Sequence, residues 1–482
     1  MNNIKKILML VMVSLSVAAF ANGNKESKDI AQVTAEAKKA KYVFLFIGDG
    51  MAMPQLSAAE AYLSALEGEE ASFKKLAMSN FPAQGLTTTQ ASNALITDSA
   101  AAGTAIATGY KTESGVISMD PSKTKTLKTI AELAKESGKK VGIVSSVNLD
   151  HATPATFYAH NVSRNNYYDI NIQMANSNFD YFGGGMVRID KTPEGEKTAH
   201  DIMTEKGWNI ASSRDDFANL KANGQNYAYN TGFAGNALAY SMDMKKDDIT
   251  LAEFTKKGIE LLDNDKGFFM MVEGGKVDWA CHANDAAASI NNTIAFDNSL
   301  KEAIKFYNTH PNETLIVVTG DHETGGLTLG FAGTKYGSDF TQLAKQKLST
   351  EGFENFVYKP FLDEKGSDAT FLDILPLIEE NYGLTKLSEY ELSQLERAFA
   401  QSLLPKEQRD TTDESYLLYG GYDPLTITVT HLLNQRAGVS WTSYSHTGVP
   451  VPTFAMGIQQ NSFNGYYDNT EIFTKLYTAM GI

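Results

Sequence analysis

Residues 313–326 read ETLIVVTGDHETGG: an unbroken apolar run, a glycine, then an acid and a histidine side by side. A short, continuous run of Leu, Ile and Val suits a strand buried on both faces of a parallel sheet. A half-exposed strand would alternate instead. Three more stretches follow the same pattern. KYVFLFIGDG (41–50) ends in Asp49 between glycines, KKVGIVSSVNLDHATP (139–154) runs to Asp150, His151 and Thr153, and GFFMMVEGG (267–275) reaches Glu273. Helical patterns lie between them: TLKTIAELAKESG (126–138), LAEFTKKGIELLDNDKG (251–267) and the long NDAAASINNTIAFDNSLKEAIKFYNTH (284–310). Alternating strands and helices predict an α/β fold with a central, mostly parallel sheet and helices on both faces. Ligands of such sheets gather beyond the carboxyl ends of the strands. Asp49, Thr153, Glu273, Asp321 and His322 all fall at such ends, so segments far apart in the chain are expected to meet at one site.

The rest of the chain bounds what that site serves. At 482 residues, with 43% hydrophobic and 21% charged residues, the chain reads as globular rather than disordered. Residues 1–21 have Lys5 and Lys6, an apolar core and Ala19-Phe20-Ala21, the pattern of a secretory signal peptide cleaved after Ala21. A polar leader follows over 22–40, and residues 41–482 read as a single domain. The expected location is the periplasm or the medium, with no membrane anchor after cleavage. The net charge of −15 argues against nucleic acid as a partner. Cys281 is the only cysteine, so no intrachain disulfide forms. The alternation lapses over about 333–431, where ATFLDILPLIEENYG and LSEYELSQLERAFAQSLL read as helices of an inserted crown or cap. It resumes at HTGVPVPTFAMG (446–457), a late strand entered from His446.

Several residues could carry chemistry. An Asp-His pair directly after a buried strand offers Zn²⁺ an oxygen and an imidazole nitrogen, although Asp321-His322 alone reads equally as a strand-end turn. In MVEGGKVDWACH (271–282), Asp278 and His282 share a face if a helix begins there. Cys281 reads as buried rather than as a ligand, because zinc sites that use cysteine cluster several. ITDSAAAGTAIATGYKT (96–112) suits a tightly packed helix with Ser99 in its first turn, where the helix dipole favours an anion or alkoxide. Asp98 or Ser99 acting only as an N-cap is the simpler local reading. His160 and Asp297 read as structural.

With all six motifs in order (IGDGM, TDSAAAGTA, HATPATFYAH followed by Arg164, MVEGGKVDWACH, TGDHETGG and HTGVPVPTFAMG), the chain resembles the alkaline phosphatases across residues 41–460. The resemblance implies an alkaline-phosphatase-like fold, hydrolysis of phosphate monoesters through a covalent phosphoserine, and a cofactor set of two Zn²⁺ and one Mg²⁺. Carried over by position, Asp278, His282 and His446 hold one zinc, and Asp49, Asp321 and His322 the other. Asp49, Thr153 and Glu273 hold magnesium. Ser99 is the nucleophile and Arg164 the phosphate clamp. His151 stands where some members have Asp, which weakens magnesium binding at the third site and admits zinc. Trp279 stands where some have Lys or His, which assigns it to substrate binding with weaker phosphate retention. The expected partners are small phosphorylated substrates and, as often in the family, a second copy in a homodimer. The same scaffold also serves phosphodiesterases and phosphonate hydrolases, and a zinc- or phosphate-binding protein without catalysis is the alternative of another class.

Overall fold

The computed structural model describes residues 38–69, 71–232 and 236–482, with Ser367 by its backbone alone. The expected signal peptide and nearly all of the expected polar leader lie outside the described residues. Residues 40–482 form one compact unit. Among the described residues no helix is long and apolar enough to cross a membrane.

Ten strands form one sheet: β1 (Tyr42–Gly48), β2 (Ala83–Thr88), β3 (Lys140–Asn148), β4 (Tyr181–Gly185), β5 (Asn209–Ala211), β6 (Asn226–Asn230), β7 (Phe268–Glu273), β8 (Thr314–Gly320), β9 (Val451–Gly457) and β10 (Gly465–Asp468). Their spatial order is β10-β2-β9-β8-β1-β7-β3-β4-β6-β5. The stretch from β8 to β5 is parallel throughout. β9 alone runs against its neighbours β8 and β2, and β10 pairs parallel with β2. The four strands expected from continuous apolar runs are β1, β3, β7 and β8, which lie together with both faces covered.

The alternation of side chains along β1 shows why the runs are continuous. Phe44 and Phe46 face one core with Leu56 of α1 (Met53–Leu66), Phe254 and Leu261 of α5 (Leu251–Leu262), and Phe296 and Leu300 of α7 (Ala286–Thr309). Val43, Leu45 and Ile47 face the other. That core also holds Ile106 of α2 (Ser99–Thr108), Ile130 of α3 (Ile130–Glu136), Ala152 of α4 (Ala152–Ala155) and Ile472 of α9 (Thr470–Met480). The expected α/β architecture, mostly parallel with helices on both faces, is the one observed.

Between β8 and β9 the chain forms helices at Phe371–Tyr382, Glu389–Ser402 and α8 (Pro424–Ala437), among others. Ile374, Ile378, Leu395 and Val429 join the core of the α1 face, so this segment packs into the body of the protein. α8 runs through residue 431, where the sequence pattern placed the end of the insertion.

Candidate metal centre

Each residue of the centre is positioned by the end of a fixed element. Asp49 follows β1, Glu273 ends β7, and Asp321 and His322 follow β8; all four are fully buried. The chain turns sharply after Asp49 at Gly50, whose φ of +69° favours glycine. A side chain there would sit 2.9 Å from the Asp278 backbone, so the glycine also permits close approach of the two loops. Gly50 N–H and His322 N–H both donate to Asp321 Oδ1, at 3.1 and 2.9 Å. Asp278 and His282 lie one turn apart on α6 (Lys276–His282), with His282 Nε2 3.3 Å from Asp278 Oδ2. His446 enters from a two-residue strand pairing with Glu323–Thr324, and its Nε2 lies 3.6 Å from Asp278 Oδ1. Thr153, buried on α4, points Oγ1 at Asp49 Oδ2 from 3.5 Å.

Ser99 opens α2. Asp98 caps that helix by accepting from Ala101 N–H, with the other carboxylate oxygen taking Gly115 N–H and the Arg164 guanidinium, each at 3.0 Å. Ser99 Oγ is buried and 3.2 Å from His322 Nε2. Arg164 also donates to His151 Nε2 at 3.2 Å. Burial, with Arg164 adding to it, pushes the His151 imidazole down to about 3, so it is neutral.

Three groups of ligand-type atoms result, each within 4.8 Å: Asp278, His322 and His446; Asp49, Asp321 and His322; and Asp49, His151 and Glu273. His282 joins the first, its Nε2 3.2 Å from His446 Nε2. The chemistry of these atoms fits divalent cations. His282 Nδ1 donates to the Tyr444 carbonyl at 2.6 Å and His446 Nδ1 to the Thr97 carbonyl at 2.8 Å. In the neutral rings both Nε2 lone pairs therefore face each other, an arrangement that needs a shared cation. Without a metal a proton fills that role. Burial opposes it, but Asp278 outweighs burial and raises His282 to about 9. Asp49 Oδ1, Glu273 Oε1 and Asp321 Oδ2 are buried with no hydrogen-bond partner among the described residues. Burial, followed by repulsion from neighbouring carboxylates, raises Asp321 to about 8 and Asp49 well above the usual carboxylate range. Burial lifts Glu273 to about 7. Burial also acts on Asp278, but His282 and the other imidazoles overcome it and hold that carboxyl low. A buried cluster of acids that opposes its own ionisation calls for cations to balance it.

The twelve residues carried over from the family motifs thus lie in or beside one centre, with Trp279 packed edge-on to His151 at 5.8 Å. Others do not. His160 is held by the Ser118 carbonyl and Glu132, Asp297 accepts from Ala77 and Met78 N–H, and Cys281 is buried against Ser289. Thr324 escaped sequence reasoning: its hydroxyl donates to Asp278 Oδ1 at 2.5 Å and lies 3.2 Å from His322 Nδ1. Its place in DHETGG, two residues past His322, was the available signal. Ser145, which donates to Glu273 Oε2, lay inside an apolar run and gave none.

Fold and site define a mostly parallel α/β protein with a buried acid and histidine centre beside a serine at a helix N-terminus. The alkaline phosphatase family model matches residues 40–482. Alkaline phosphatase 4 of Bacillus subtilis is 30% identical, over 97% of this chain and 95% of the relative. A cold-active alkaline phosphatase from Shewanella superposes with a TM-score of 0.76 at 28% identity, covering 91% of this chain and 99% of that one. The alkaline phosphatase of Thermus thermophilus has the same fold, with a TM-score of 0.75 at 23% identity and 92% of each chain covered. The chain belongs to the alkaline phosphatase family and is a phosphatase.

Proposed function

We propose that the protein hydrolyses phosphate monoesters through a phosphoserine on Ser99, at a centre that takes two Zn²⁺ and one Mg²⁺. The observation that carries the reading is the Ser99 hydroxyl, 3.2 Å from Nε2 of His322, a residue shared by two of the three groups of ligand-type atoms. Asp278, His282 and His446 are assigned to one zinc, and Asp49, Asp321 and His322 to the other. Asp49, Thr153 and Glu273 are assigned to magnesium, whose preference for oxygen suits them. His151, neutral and beside Asp49 and Glu273, favours a third site that also accepts zinc. Bound cations supply the positive charge that lowers the serine pKa and stabilises the oxygens of an in-line displacement.

The chain's own residues do the rest. Arg164, held between Asp98 and His151, presents a planar fork suited to two phosphate oxygens. The α2 N-terminus adds partial positive charge where phosphate binds. The Ser99 oxygen attacks phosphorus in line with the departing alcohol. Water then attacks phosphorus from the side the alcohol left, in line with the Ser99 oxygen; the Ser99 Oγ–P bond breaks, phosphate is released and the serine regains its proton. Arg164 and Trp279 are assigned to the substrate. The N-terminal signal pattern supports export to the periplasm or the medium, and the family resemblance supports a homodimer.

Metal content by mass spectrometry, with p-nitrophenyl phosphate turnover before and after chelation, tests the reading. Turnover is lost on chelation and returns with Zn²⁺ and Mg²⁺. Ser99→Ala abolishes turnover while metal content persists; unchanged turnover in this variant refutes the nucleophile. Faster turnover of the bis-ester than of the monoester refutes the substrate class.

A further inference from the structure

A cavity of about 360 Å³ opens off the centre beside His282. Its volume lies within the range of small-molecule sites, roughly 300–1,000 Å³. Trp279, Tyr240 and Tyr422 line it, together with Glu351 and Glu354. Two of these rings are braced from within the protein. The Lys276 ammonium, on a side chain only 1% exposed, sits 4.3 Å over the Trp279 ring and 4.0 Å over the Tyr240 ring, with Glu351 Oε2 3.8 Å away. The third ring, Tyr422, packs against Tyr444 with centroids 6.2 Å apart, and the Tyr444 carbonyl is the one that orients His282. The cavity wall and the centre are therefore one structure, and much of the wall comes from the segment between β8 and β9.

Its charge is as specific as its shape. No lysine or arginine lines the cavity among the described residues. Lys276 is enclosed between the rings and Glu351, so it is not available to an incoming anion. Lys359 pairs with Glu354 at 3.2 Å. An aromatic chamber with carboxylates and no free cation welcomes a ring and rejects a second anionic group.

We propose that this cavity is the subsite for the alcohol part of the substrate, and that it selects monoesters whose alcohol carries a ring and no second negative charge. The proposal rests on the phosphomonoesterase reading. Under it, His282 and Trp279 border both the centre and the cavity, so the alcohol of an ester held at Ser99 lies on the cavity side when it points toward His282. Stacking on Trp279 or Tyr422 then adds binding that ethyl-sized esters cannot gain.

Three esters with alkanol leaving groups of similar acidity test this: ethyl phosphate, 2-phenylethyl phosphate and 2-(4-carboxyphenyl)ethyl phosphate. The phenylethyl ester is expected to have a kcat/KM about tenfold above the ethyl ester, the scale of one good aromatic contact. The added carboxylate is expected to cancel that gain. In Tyr422→Ala the phenylethyl-to-ethyl ratio falls toward one, whereas Tyr422→Phe, which keeps the ring, retains it. A ratio near one in the wild type, or one undiminished in Tyr422→Ala, overturns the proposal. Turnover of the carboxylate ester at the phenylethyl rate overturns its charge component. Failure to hydrolyse any of the three overturns the phosphomonoesterase reading on which the proposal rests, which separates the two conclusions.

Discussion

Thr324 shows how one hydroxyl serves two ligand-type side chains. It donates to Asp278 Oδ1 and contacts His322 Nδ1, so it fixes the orientation of residues in both proposed zinc groups. Partners of this kind typically contribute about 10–100-fold in metal affinity. Thr324→Val, similar in size but without the hydroxyl, is expected to weaken zinc retention by about that factor in competition with a chelator. An unchanged zinc affinity would mean that the ligands are oriented without it. Asp278 and His446 also meet the neighbouring imidazoles directly, so the variant is expected to keep its fold.

At the scale of the element, α2 joins stability to the proposed substrate binding through Asp98. One oxygen caps the helix, and the other holds Arg164 and Gly115 N–H. Asp98→Ala is expected to cost about 0.5–2 kcal/mol in urea unfolding, the usual range for a lost cap. It is also expected to raise KM for monoesters, because Arg164 loses its anchor. Asp98→Asn separates the two roles. Asparagine caps well, so stability is largely kept, while KM still rises because the charge facing Arg164 is gone. The sheet makes a different demand. Phe46 lies on a fully buried strand and packs on Phe296 of α7 with centroids 5.8 Å apart. Phe46→Ala is expected to cost about 3–5 kcal/mol in the same unfolding measurement, from lost burial and the cavity left behind.

The whole molecule carries an unusual charge problem, four buried carboxylates and four imidazoles in one centre, and its pH dependence follows. In the chelated protein Asp321 is raised to about 8, Glu273 to about 7 and His282 to about 9. Each then holds a proton in the folded state at a pH where the acids, or above 6.5 the histidine, have lost it on unfolding. More protons on the folded state means that stability falls as pH rises. The lowered histidines, including His151 and His322, oppose this only below about 6.5, their unfolded value. Between pH 6.5 and 8 the chelated protein is therefore expected to lose melting temperature. The metal-loaded protein, whose carboxylates are ionised throughout, is expected to stay nearly flat. Parallel slopes for the two forms in calorimetry would contradict the assignment of these acids to cations.

How much was legible beforehand follows from the same residues. Continuous apolar runs marked β1, β3, β7 and β8 because burial on both faces leaves no polar alternation, and the acids that close those runs marked the centre. β2, β4, β5, β6 and β10 went unseen: AQGLTT, YFGGG, NIA, NYAYN and GYYD are too short or carry too few branched apolar residues to signal strands. They pair because neighbouring strands offer them hydrogen bonds, a long-range property absent from local pattern. The sequence by itself determined the fold class, the family resemblance and the residue types of the centre, since each is written in short stretches. Only the tertiary structure decided that Thr324 ties Asp278 to His322, that Lys276 lies enclosed beneath Trp279, and that the segment after β8 walls a cavity beside His282. These depend on distances between segments up to hundreds of residues apart, which packing sets and spacing along the chain does not.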